Sequence, residues 1–125
     1  MNKKGSMLYF AELDYKHILH IKEVEGLEDS VLVTCQQCIE KYLKHLISNT
    51  LGETEKSHHL PFLMSKLRDK YPELKQYNTL ARFLKDCYFE RTYENEDYVE
   101  LEVEEYRSYV KESLEMIAYL QGLIE

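Results

Sequence analysis

The chain of 125 residues has no tryptophan, only two prolines and four glycines, and three cysteines. So few helix breakers exclude a turn-rich β-sandwich and leave long helices free to form. Three cysteines cannot all pair, and with no secretory context reduced thiols in a cytoplasm are expected. No apolar run approaches the roughly 18 residues that a bilayer-crossing helix needs, and the N-terminus lacks the apolar stretch of a signal peptide. Positive charge is scarce too: 16 Lys and Arg face 23 Asp and Glu, for a net charge of −7. Binding nucleic acid without regard to sequence rests on a basic footprint, so any such site must be a local patch.

What remains is an ordinary globular balance, 44% hydrophobic and 31% charged, in a length that suits one domain with one core. Residues 1–6 are expected to be a disordered or non-native segment and 7–125 a single domain. Apolar residues then recur at steps of three and four. The first helix is expected over Met7–Lys22, with Leu8, Ala11, Tyr15 and Ile18/Leu19 inward, ending near Gly26. The second runs from Leu27 or Ser30 to Ser48, with Leu32, Cys35, Ile39, Tyr42/Leu43 and Leu46 as its stripe and Gly52 as a stop. The third spans His59 to the residue before Pro72, with Pro61 tolerated in its first turn. Pro72 opens a fourth helix buried through Leu74, Tyr77, Leu80/Ala81, Leu84 and Tyr88. Phe89–Glu102 reads as irregular. The last helix covers Val103–Leu123, with Val103, Tyr106, Val110, Leu114, Ile117 and Leu120 inward. The expectation is an all-α antiparallel, up-and-down bundle of about five helices.

Four segments carry a resemblance, in this order: Ala11-Glu-Leu-Asp14 in the first helix, Gln36-x-x-Ile-Glu-Lys41 in the second, His58-x-Leu60 opening the third, and an aromatic-rich Arg91 segment before the last. Together they resemble the HEPN family over about Met7–Leu123. The resemblance implies a helical bundle that dimerises, with the Arg segments of two protomers facing one cleft. It also implies nucleotide or RNA binding and a minimal nucleotidyltransferase partner, as in toxin–antitoxin pairs.

Ribonuclease members carry an Arg followed a few residues later by a His, and toxin members add a Tyr shortly after it. Arg91 matches the Arg and Tyr98 the Tyr, but Glu96 stands where the His belongs and no His follows Arg91. Metal-independent RNA cleavage needs one group to take the 2′-hydroxyl proton and another to protonate the leaving oxygen. Histidine, with an unperturbed pKa of about 6.5, serves either role; glutamate, near about 4.3, is a workable base and a poor acid unless burial raises it. Arg91, Glu96 and Tyr98 are the catalytic candidates, yet Glu94, Glu96 and Asp97 crowd one loop and repel phosphate. Arg91 also reads as a structural ion-pair or dimer-contact residue.

Arg91, His58 and Lys41 are the ligand-binding candidates, with His58 alternatively a helix-start residue. Cys35-x-x-Cys38 lies inside a helix facing the core. A redox pair wants a helix N-terminus and zinc wants four ligands, so inert core thiols are expected, with no metal and no cofactor. Eleven tyrosines, with Tyr88, Tyr93, Tyr98, Tyr106 and Tyr109 gathered around the irregular segment, favour an interface over a stacking platform. A second apolar face on the last helix (Tyr109, Met116, Leu123) motivates a homodimer. The functional expectation is a non-catalytic module of this family. The alternatives are a ribonuclease toxin and an acidic helical adaptor.

Overall fold

The computed structural model describes residues 3–124. Five α-helices follow in order: α1 Met7–Ile21, α2 Glu28–Leu51, α3 Leu60–Ser65, α4 Asn78–Glu90 and α5 Val103–Ile124. A 3₁₀ segment, Pro72–Tyr77, leads into α4. No strand occurs among the described residues, as the all-α expectation requires. No helix there is long and apolar enough to cross a membrane.

Helix α2 is the spine, packed against α1, α3, α4 and α5. The expected stripe is present, but 13 of its 24 residues are buried, including Thr34, Gln36 and Glu40. A helix surrounded on most sides buries polar positions that a one-faced pattern assigns to solvent. Glu28 and Asp29 sit in its first turn, where negative charge complements the helix dipole. Gly52 ends it in the left-handed conformation, its N–H bonded to the Ser48 carbonyl at 3.0 Å.

The sequence places residues 1–6 outside the fold, but Ser6 caps α1 by accepting the Tyr9 N–H at 3.1 Å. Met1 and Asn2 lie outside the described residues. Helix α3 is far shorter than expected. After Ser65 the chain tightens, with Lys66 and Leu67 donating to carbonyls three residues back, at 3.3 and 3.0 Å. Pro72 opens a 3₁₀ turn rather than an α-helix, and α4 starts only at Asn78. Helix α5 begins on a half capping box, where Glu105 reaches back to the Glu102 N–H at 3.3 Å.

Two expected core positions, Leu19 and Val103, are exposed. The larger correction concerns the second face of α5. Met116 is fully buried, Tyr109 and Leu123 pack on the core, and the Tyr109 ring stacks on Phe83 at 3.6 Å between centroids. The bundle covers this face itself, so it no longer motivates a dimer. Cys35, Cys38 and Cys87 are free and buried. Burial pushes the Cys35 and Cys87 thiols up to about 12 and Cys38 higher still, so all three are protonated near neutrality.

Candidate functional site

The candidate residues separate into two concavities. Arg91 follows the last residue of α4, and its side chain is only 5% exposed. Nη1 is bonded to Asp29 Oδ1 in the first turn of α2, and Nη2 donates to the Val99 carbonyl at 2.8 Å. Tyr98 Oη donates to the other Asp29 oxygen at 2.8 Å, and the guanidinium lies 5.2 Å from the Tyr98 ring centre. One carboxylate thus holds both the arginine and the tyrosine, and the arginine folds the α4–α5 connection back onto the bundle. A paired, charge-assisted contact of this kind fixes a loop as readily as it binds a phosphate.

The consequences for acid–base chemistry are direct. The hydrogen bond to Asp29 holds the Tyr98 phenol above the ordinary tyrosine range, with burial and the Asp29 charge adding to it. The phenol is therefore a poor acid near neutrality. Glu96 is exposed and does not line the cavity beside Arg91. Of the three catalytic candidates, Arg91 and Tyr98 are brought together on Asp29 and Glu96 is not.

That cavity, of about 600 Å³, lies between the α1–α2 turn, the start of α2 and the α4–α5 connection. Five carboxylates line it, Glu23, Glu25, Glu28, Asp29 and Glu100, against three cations. Of the cations, Lys22 sits 3.4 Å from Glu23 and Arg91 is bonded to Asp29. Tyr106 forms part of the wall, its hydroxyl bonded to the Lys22 carbonyl at 2.9 Å.

The second concavity, of about 480 Å³, brings together two of the segments that carry the family resemblance. Gln36, Glu40 and Lys41 of α2 face Ser57 and His58 of the loop before α3, and Lys85, Tyr88 and Phe89 of α4 close the other side. Glu40 is buried and nearly saturated. It accepts from Gln36 Nε2 at 2.9 Å and contacts His58 Nδ1 at 2.7 Å and Lys44 Nζ at 3.0 Å. Burial alone would raise its carboxyl, but the hydrogen bonds from Lys44, His58 and Gln36 outweigh it and hold it below the ordinary glutamate range.

Gln36 Nε2 also reaches the His58 carbonyl at 3.4 Å. With acceptors on its nitrogen side, the amide orientation is set, and its buried Oε1 has no protein partner. The His58 side chain is 80% exposed, anchored at Nδ1 and open at Nε2. His59 is the cap of α3, accepting the Phe62 N–H at 3.1 Å. Lys41 lines the groove, but its ammonium is held by Asp14 of α1 at 2.5 Å, so it is less available than the sequence implied.

Sequence reasoning missed Asp29, Gln36 and Glu40 as site residues. Asp29 lies 62 positions from Arg91, and no local spacing links them. Glu40 was visible inside the Gln36-x-x-Ile-Glu-Lys41 segment; the missing inference was that a carboxylate buried mid-helix demands a partner.

Comparison with known proteins gives one family. The family model of the HEPN domain matches residues 7–122, nearly the whole chain. No curated protein and no solved structure matches it.

Proposed function

The chain belongs to the HEPN domain family, and on that premise we propose that it is a non-catalytic, nucleotide-binding member whose ligand site is the groove beside His58. The observation that carries this reading is the gathering of His58, Lys85 and the Phe89 ring on one groove of about 480 Å³. Its volume falls in the range of small-ligand pockets. The Phe89 side, 65% exposed, offers a face for a base, while the Lys85 ammonium offers a charge-assisted bond to a phosphate and His58 Nε2 a further hydrogen-bonding position in the same groove. Glu40 and Gln36 hold the histidine from behind, so its open nitrogen is presented to the groove.

The ribonuclease reading has less support. Arg91 is committed to Asp29 and Val99, the Tyr98 phenol is a poor donor, and Glu96 stands apart in the solvent. Association with a second copy or with a nucleotidyltransferase rests on the family resemblance alone, because the rest of the bundle covers the second face of α5.

Calorimetric titration with adenosine 5′-monophosphate tests the proposal. One site per chain is expected, weakened by Phe89→Ala and Lys85→Glu and unaffected by Tyr98→Phe. Absence of binding, or loss on Tyr98→Phe alone, would overturn it.

A further inference from the structure

We propose that the cavity beside Arg91 is a docking site for a basic, partly apolar segment of a partner protein, one of whose arginine or lysine side chains enters it. This site is separate from the nucleotide groove, and the inference does not depend on that reading.

The first argument is charge. Five carboxylates against three cations leave the cavity acidic: with Lys22 paired to Glu23 and Arg91 to Asp29, Glu25, Glu28 and Glu100 remain against Arg107 alone. A phosphate entering meets an excess of negative charge, and an ammonium or guanidinium meets attraction. The tyrosine walls act in the same direction, because aromatic faces attract cations.

The second argument is the rim. Tyr98, Val99 and Val103 are 44, 65 and 62% exposed, and Tyr98 and Val103 line the cavity while Val99 is tied to Arg91. Three large apolar side chains beside a charged recess form the mixed apolar and polar surface on which arginine anchors seat. The Arg91 clamp keeps this rim in place rather than leaving it on a loose connection.

The third argument selects the occupant. Residues 90–105 hold eight of the chain's 23 acidic residues and one basic residue, Arg91, which is engaged internally. A two-fold contact with a second copy would set this run against itself, and like charges facing each other oppose association. RNA is opposed for the same reason. A basic protein segment is the complementary partner, and the acidic field would also speed its arrival.

The experiment uses the full chain and fluorescence anisotropy at physiological salt. The probe is a labelled peptide of alternating Arg and Leu, with an alternating Glu and Leu peptide and a labelled oligouridine in parallel. The Arg–Leu peptide is expected to bind and the other two not to. Glu25→Lys with Glu100→Lys should weaken binding at least about tenfold, and Val99→Ser should weaken it by a smaller factor. Asp69→Lys with Glu115→Lys makes the same charge change outside the cavity and should cost much less. Circular dichroism checks that each variant keeps its helix content, and any that does not is replaced by the matching Gln pair. No binding of the Arg–Leu peptide, equal losses from the two charge reversals, or preference for the RNA would overturn the proposal.

Discussion

The cavity beside Arg91 and the groove beside His58 both draw on α2, yet they use their ionisable groups in opposite ways. In the first, the cation is inside: Arg91 is 5% exposed, bonded to Asp29, and surrounded by further carboxylates. In the second, the carboxylate is inside. Glu40 is buried beneath Gln36, Lys44 and His58, and the groups that reach solvent are an imidazole, an ammonium and a phenyl ring. A buried charge that has its partner is part of the fold, whereas a group anchored at one end and open at the other can meet a ligand. A family arginine therefore cannot be read as a phosphate ligand until its carboxylate neighbours are known. Here that neighbour is Asp29.

The largest effect expected from this contrast is on stability. Arg91→Ala should cost about 2–3 kcal/mol in urea unfolding, near the low end for breaking a buried pair, because Asp29 is itself over a third exposed. Asp29→Asn with Arg91→Ala should cost less than the two single changes added, since they remove one interaction. A loss below about 0.5 kcal/mol for Arg91→Ala, the size of an ordinary surface substitution, would erase the difference between the cavities.

Next in size is the ligand side. Phe89→Ala should weaken adenosine 5′-monophosphate binding by about tenfold, the lower part of the range for losing an aromatic stack, without lowering stability much, because Phe89 is exposed. If the same change destabilised the fold and left binding alone, the groove would be structural and the contrast would fail.

The smallest effect is a pH dependence. Glu40→Gln should cost about 1 kcal/mol at neutral pH, the worth of hydrogen bonds to a charged acceptor offset by its burial. Because the folded-state carboxyl is held below its ordinary value, its contribution is complete above the unfolded pKa near 4.5 and disappears as pH falls through the lower folded value. The wild type and the variant should therefore converge in stability on acidification through the range below the unfolded value near 4.5. A difference that stayed constant through that range would mean that Lys44 and His58 do not hold Glu40 charged.

Much of the bundle was legible in the sequence because its helices repeat an apolar step of three or four, and a stop such as Gly52 is local, although the Ser6 cap was not read. What escaped depends on distance along the chain. Periodicity could not show that α2 is enclosed on most sides, so Gln36 and Glu40 read as solvent positions. Nor could it show that Met116 is covered by its own bundle, since the face it lies on meets partners far away in sequence. Pro72 was seen as a boundary, but the tightening after Ser65 leaves no periodic trace, because Leu67 stays buried in either geometry. His58 and Arg91 were both picked out by residue type. Their opposite surroundings are set by Glu40 and Asp29, 18 and 62 positions away.

The most direct test of the claim that Arg91 serves the fold rather than a reaction is RNA cleavage in the presence of a chelator. Wild type, Glu96→His and Arg91→Lys are compared, the last keeping the charge while losing the forked geometry. The account predicts no cleavage by any of the three, because restoring a histidine does not release Arg91 from Asp29. Cleavage by the wild type that Arg91→Lys abolishes, with its helix content intact, would contradict the account and make Arg91 a catalytic residue.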